Sequence, residues 1–288
     1  MADEDRLAEL LSAGEGHYSL AEACLLVAGD AYPGLDVNHY LAEIERMAAR
    51  LRGRLAQGAD GEEKVVALNQ YLFNELGFYG NADDYYDPRN SYLNEVIERR
   101  RGIPISLAIV YMEVGRKIGL PLEGVSFPGH FLVRLSLRGG TLVLDPFSGG
   151  EPLSEPDLRK ILRRVIAGSG SAGLRSAAEV AAELPLDPFL EVAGPRQILV
   201  RVLRNLKNIY LKKDAPERQL QVIQRMITVA PEAHGELRDR GVLYQRMEAF
   251  RAALKDLTEY LEREPEAADA EEVRGRIIEL TALCARLN

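Results

Sequence analysis

The segment from Pro104 to Ile118, PISLAIVYMEVGRKI, constrains the fold of this chain more than any other stretch. Ile105, Leu107, Ala108, Ile109, Val110, Met112, Val114 and Ile118 leave almost no continuous polar face. A helix of that kind must be enclosed by other elements. Pro104 suits its first turn, where a missing N–H costs nothing. From His130 the period of the sequence changes to two. Phe131, Val133, Leu135 and Leu137 fall on one face, with His130, Arg134 and Ser136 on the other. TLVLDPF follows across Gly139-Gly140, which is the pattern of an antiparallel hairpin with a tight turn. A buried helix followed by a hairpin predicts an α+β fold. A turn at Gly139-Gly140 pairs Arg138 with Thr141 and sets Asp145 opposite Arg134. His130 then lies on the same face but four residues away, roughly 13 Å along a strand. A regular hairpin therefore predicts an Arg134–Asp145 ion pair, and a His130–Asp145 pair requires a bulge or a shifted register.

The first eighty residues read as amphipathic helices. SLAEACLLVAGDAYP opens on a capping Ser19 and stops at Pro33, DVNHYLAEIERMAARLRGRLAQG opens on Asp36, and GEEKVVALNQYLFNELGF carries acids in its first turn. NADDYYDPRNSYL is loop chemistry, and a short helix then ends at Gly102. The 288 residues carry 36 basic and 44 acidic side chains, for a net charge of −8, and no Trp. That balance argues against nucleic acid as a partner. No apolar run approaches the length of a membrane span. The acidic start lacks a secretion signal's basic-then-apolar order. Cys24 and Cys284 form no metal-ligand pattern, and two isolated cysteines suit a reducing compartment. The expectations are a cytoplasmic protein with no metal, no cofactor and no membrane partner.

The tail repeats. Tyr210 and Tyr244, Leu220 and Leu254, Ile223 and Leu257, Ile227 and Leu261, and Pro231 and Pro265 each stand 34 residues apart. That is the period of tetratricopeptide helix–turn–helix units. Residues 154–194 contain one basic helix, the small-residue run SGSAG and irregular sequence, and read as a connection. The expected domains are 1–155, a connecting segment 156–194 and a helical tail 195–288.

His130, Asp145 and Ser106 are the candidates for chemistry. A hydroxyl or thiol at the start of a buried helix, a His on a strand and an Asp on the next strand would supply nucleophile, base and orienter. Ser106 stands in the first turn of the buried helix, where free N–H groups would stabilise an oxyanion. The plainer reading of Ser106 is a small residue whose hydroxyl satisfies the backbone. Arg99, Arg100 and Arg101 suit a helix C-terminus, or could hold an anion at the start of the next helix. Asp87, Arg89, Asn90 and Asn94 form a polar loop in front of that helix, serving as turn chemistry or as the lining of a cleft.

GIPISLAIVYMEVGRKIGLPLEGVSFPGHFLVRL and LVLDPF resemble the transglutaminase-like core, a papain-related α+β fold. DPRNSYLNEVIERRRGIPIS brings the resemblance closer to bacterial SirB-type proteins, which join such a core to a tetratricopeptide tail. The resemblance covers about residues 20–155 and 195–288. It implies a nucleophilic Cys near the helix start, followed by His and Asp. His130 and Asp145 match the latter two. The Cys position falls on Pro104 or, two residues on, on Ser106, and neither cysteine lies in the motif. Proteins of that type have no settled activity, and some are linked to regulation. The resemblance therefore implies a catalytically degenerate, regulatory core that binds protein or peptide partners through its cleft and its tail. The alternative is a serine-dependent amide or ester hydrolase using Ser106, His130 and Asp145.

Overall fold

A computed structural model describes residues 3–12, 14, 18–168 and 176–286. The chain divides into two compact units, one of residues 13–202 and one of residues 1–12 with 203–288. The first helix, α1 (Asp3–Ser12), belongs to the second of these.

The larger unit opens with α2 (Leu20–Gly29), α3 (Val37–Arg52) and α4 (Gly61–Asn69), the last continued by a π-helical turn over Gln70–Glu75. Each start is set by a side-chain cap. Ser19 accepts from the Glu22 N–H, Asp36 from the His39 N–H, and Asp60 and Glu63 form a reciprocal capping box. Next come β1 (Tyr79–Gly80), α5 (Leu93–Arg99) and β2 (Arg101–Gly102), with β1 and β2 pairing in parallel. The apolar segment forms α6 (Pro104–Lys117), buried without interruption from Pro104 to Gly115. It packs against α2, α3, α4 and α5 and also against strands β3 (Leu122–Val125) and β4 (Leu132–Leu137). With β5 (Gly140–Asp145) and β6 (Glu151–Pro152) these strands form a four-stranded antiparallel sheet in the order β3-β4-β5-β6.

The hairpin register departs from expectation. Leu137 pairs with Gly140 and Ser136 with Thr141, so Arg138 and Gly139 form the turn and Gly140 opens β5. Gly140 adopts φ +143°, which a residue with a Cβ rarely takes. Arg134 consequently faces Val143 rather than Asp145, and its guanidinium meets Glu123 on β3 at 2.9 Å. The predicted Arg134–Asp145 ion pair does not form.

The segment read as a connection is packed structure. It holds α7 (Glu155–Gly168) and α8 (Ala177–Glu183). Leu158, Leu162 and Ala181 bury themselves with Val125, Phe127, Leu132 and Val143 of the sheet region. Spacing along α7 accounts for this, since one apolar stripe on a basic helix suffices to cover a sheet face. SGSAG lies outside the described residues.

The boundary between units falls within α9 (Pro195–Lys212). The smaller unit continues with α10 (Pro216–Val229), α11 (Gly235–Arg246), α12 (Phe250–Arg263) and α13 (Ala270–Arg286). Moving α10 by 34 residues superposes its bounds on those of α12. Leu237, Ala253, Leu257, Tyr260, Val273 and Leu280 form one core there.

Candidate functional site

His130 is positioned by the turn Phe127-Pro128-Gly129-His130. The His130 N–H donates to the Phe127 carbonyl at 3.1 Å, and Gly129 takes φ +66°. Pro followed by a left-handed Gly is the signature of a type II turn. Arg201 on α9 donates to the carbonyls of both Phe127 and His130, the former at 3.1 Å, and lies 5.5 Å over the Phe131 ring. The turn is thus clamped from outside the strand.

Asp145 ends β5 and caps a single 3-10 turn over Pro146–Ser148. Its Oδ1 lies 2.9 Å from His130 Nε2 and accepts from the Phe147 N–H at 3.0 Å, while its Oδ2 accepts from Ser148 Oγ at 2.8 Å. Burial opposes ionisation, but the contacts with His130, Ser148 and Phe147 outweigh it and hold the carboxyl below its ordinary value. Phe147 meets the His130 ring edge-on at 6.0 Å and Tyr85 at 6.5 Å. The structure therefore brings His130 and Asp145 together, with the His side chain 16% exposed. A nitrogen held by a buried carboxylate is an oriented base or hydrogen-bond donor.

Ser106 is not part of this pair. It sits in the first turn of α6, is 1% exposed, accepts from the Ile103 N–H at 3.0 Å and donates to the Asn90 carbonyl at 2.6 Å. The hydroxyl satisfies the backbone, as in the plainer reading, and the approach to His130 that the hydrolase alternative requires is not seen. The physical reason is local: α6 begins at a proline and lacks an N-cap side chain, so Ser106 reaches back to satisfy Ile103. Cys24 is no substitute nucleophile, because it is buried in α2 and its thiol pKa is raised by burial and by the nearby Glu113.

The three arginines diverge. Arg99 reaches Asp87 at 3.5 Å and Glu95 at 4.0 Å, Arg100 lies 4.7 Å over Phe78, and Arg101 lies 5.1 Å over Tyr79. Arg99 and Arg100 end α5, as a helix C-terminus suits, and the three side chains do not gather on one partner. Arg100 adopts φ 58° and ends α5, so the chain reverses within the run and sends consecutive side chains apart. Asp87 also holds Arg89 at 2.8 Å, and burial of its carboxyl is outweighed by the two arginines, which lower its pKa. Asn90 is fully buried. It accepts from Asn81 at 3.1 Å and donates to the Asp84 carbonyl at 2.7 Å. Asn94 is buried at 3% exposure, with Oδ1 unpartnered. Asn90 ties the polar loop to the start of α6 through Ser106.

Sequence reasoning missed Arg201 and Asn69. Asn69 donates to the Gly150 carbonyl at 2.8 Å and accepts from Tyr111 at 2.8 Å, tying α4 to the turn after Asp145 and to α6. Neither carries a local signal, since both act across more than forty residues. Phe-Pro-Gly-His, by contrast, was a readable turn signature. Among the described residues no group of three or more His, Cys, Asp or Glu side chains could hold a metal ion, and no described helix is long and apolar enough to cross a membrane.

Comparison with known proteins matches both parts of the chain. The model of the transglutaminase-like superfamily matches residues 38–204. The chain belongs to the transglutaminase-like superfamily. A tetratricopeptide-repeat model matches residues 206–277. A UPF0162 protein of Xylella fastidiosa is 42% identical, over 91% of this chain and 90% of its own. A UPF0162 protein of Pseudomonas aeruginosa is 32% identical over 83% and 82%. Protein SirB1 of Salmonella typhimurium is 28% identical over 82% of each. The SirB-type resemblance and the α+β core with a repeat tail hold.

Proposed function

We propose that this protein is a partner-binding, regulatory module built on a transglutaminase-like core that no longer uses the nucleophile position of that fold. The observation that carries the reading is the state of Ser106. Its hydroxyl is committed to Asn90 and Ile103, while His130 and Asp145 remain paired and the hydroxyl that reaches the pair, that of Ser148, is bound to the Asp145 carboxylate. A paired His–Asp, with Phe147 between its ring and the exposed Tyr85, suits recognition of a polar group on a protein or peptide partner. The repeat tail supports the same class of partner. The two free thiols fit a cytoplasmic setting.

A serine hydrolase is the second reading, favoured by the intact His130–Asp145 pair. It requires Ser106 to abandon both backbone partners and turn toward His130. The two readings separate on treatment of the full chain with a fluorophosphonate probe, alongside a panel of amide and ester substrates. The expected result is no labelling of Ser106 and no turnover that depends on it. Labelling lost in both Ser106→Ala and His130→Ala, with hydrolysis lost in parallel, would overturn the binding-module reading.

A further inference from the structure

Between β1 and Asp87 the chain turns through Asp83, Asp84, Tyr85 and Tyr86, all of them exposed. Tyr85 is 37% and Tyr86 51% exposed. Open tyrosine rings of this kind mark contact surfaces, because they bury much area at little cost in side-chain freedom. The rings run in series toward the His130–Asp145 pair. Tyr86 meets Tyr85 at 5.4 Å, Tyr85 meets Phe147 at 6.5 Å, and Phe147 meets His130 at 6.0 Å, each pair edge to face. The loop that carries the tyrosines is fixed from within. The Asp84 N–H donates to Asn81 Oδ1 at 3.3 Å, and the buried Asn90 amide donates to the Asp84 carbonyl at 2.7 Å. A surface ordered before it meets a partner loses little freedom on binding.

The charge around these rings is an independent observation. Asp83 and Asp84 have no counter-ion among the described residues. Glu151, exposed on β6 and likewise without an ion pair, stands opposite Asp145 in the ladder and so on its face of the sheet. The cations nearby are already engaged. Arg89 and Arg99 hold Asp87, and Arg201 binds the Phe127 and His130 carbonyls. Burial raises the pKa of the Tyr85 phenol, and Arg201 opposes that rise, so it is the one positive charge felt at the ring. The chain also shows what its aromatic rings accept. Arg100 lies over Phe78 and Arg101 over Tyr79, whereas no cation of the described residues lies over Tyr85.

We infer that this acidic, aromatic edge of the core binds a basic, arginine-bearing segment of a partner protein. An arginine stacks on the Tyr85 ring, where a planar cation meets the negative face of the ring, and Asp83 and Asp84 neutralise its charge and that of its neighbours. The row of rings is longer than one side chain, so a segment covers it where a single small cation would not. The inference rests on the reading of the core as a partner-binding module and names the partner's chemistry. An acidic segment is repelled by the unpaired carboxylates, and a wholly apolar one would bury them unpaired.

The test titrates the full chain into a fluorescein-labelled peptide of alternating Gly and Arg, and into its Gly and Gln counterpart, by fluorescence anisotropy. The Arg peptide is expected to bind, less tightly as salt rises, with the Gln peptide roughly tenfold weaker or worse. Asp83→Asn combined with Asp84→Asn is expected to weaken the Arg peptide roughly tenfold. Glu232→Gln combined with Glu266→Gln makes the same change of charge at exposed acids of the repeat unit and is expected to leave binding within about twofold. Tyr85→Phe keeps the ring and is expected to bind as the parent chain does, whereas Tyr85→Leu is expected to weaken binding roughly three- to fivefold. Melting temperatures establish that each variant is folded. Equal weakening by the two acid pairs reduces the binding to general attraction toward an acidic chain and overturns the inference. Equal binding of the two peptides, no binding of the Arg peptide, or a Tyr85→Leu variant that binds like the parent overturns it as well. None of these outcomes touches Ser106, so the binding-module reading stands or falls separately, on the fluorophosphonate labelling.

Discussion

His130 Nε2 lies 2.9 Å from Asp145 Oδ1, although a turn at the paired glycines would have held them four residues out of step. The ladder explains the contact. Val133 pairs with Leu144, so the next step sets Asp145 beside Leu132, two residues from His130 rather than four. The type II turn then folds His130 back over the end of β5. The contact is a product of register and turn acting together.

Asp145 should therefore couple stability to pH. Its carboxyl titrates below the ordinary value of about 4 in the folded protein. The stabilisation it supplies is present above that ordinary value and is lost as pH falls through the lower folded-state value. Asp145→Asn should cost about 1–3 kcal/mol at pH 7. Urea denaturation from pH 7 to pH 3 should show the difference between wild type and variant narrowing toward the acid end. A constant difference would mean that the carboxylate charge is not what the pair contributes.

Ser106→Ala should behave as the loss of a buried cap. It leaves the Ile103 N–H and the Asn90 carbonyl without their partner, at a cost of about 1–3 kcal/mol. Chemical denaturation measures this directly. A cost near zero would show that the hydroxyl is not engaged with the backbone.

Arg134→Ala discriminates between the two registers. Its partner Glu123 is 39% exposed, so the pair contributes under about 1 kcal/mol. Had Arg134 faced Asp145, the same substitution would strand a buried carboxylate and cost about 3–5 kcal/mol. Thermal or urea melts separate these outcomes.

Gly129→Ala should displace the His130 turn. Gly129 holds φ +66°, and a Cβ there would come within 2.4 Å of Val165 Cγ2. The left-handed conformation alone costs roughly 1–2 kcal/mol. The His130 imidazole resonances in an NMR spectrum should shift, and unchanged resonances would mean that the turn tolerates the substitution.

In the repeat unit, Gly241→Ala should destabilise by overpacking. Its added Cβ would lie 2.8 Å from both Cγ and Cδ2 of Leu257 and 3.3 Å from the Ala253 carbonyl oxygen. A loss of about 1–3 kcal/mol is expected, measurable by thermal denaturation. A neutral result would place α11 and α12 farther apart than their contact implies.

Much of the architecture was legible because it is written in local periods. The unbroken apolar run predicted α6 as an enclosed helix, Ser19 and Asp36 marked helix starts, and the 34-residue spacing placed α12 one repeat after α10. The site was legible only in its residue types. The hairpin slipped because two adjacent glycines offer two possible turns, and no local pattern chooses between them. Residues 156–194 were underestimated because burial by an amphipathic stripe needs a sheet face to cover, and no local pattern announces that face.

The sequence by itself determined the enclosed helix α6, the helix starts at Ser19 and Asp36 and the 34-residue repeat, since these follow from side-chain spacing along a continuous backbone. Tertiary structure decided the rest. It chose the register that closes the His130–Asp145 pair, turned the Ser106 hydroxyl onto Asn90, brought Arg201 onto the His130 turn and sent Arg99, Arg100 and Arg101 in three directions. Each of those outcomes depends on which distant groups need a hydrogen-bond partner or a packing surface. That is a property of the whole assembled unit and of no single segment.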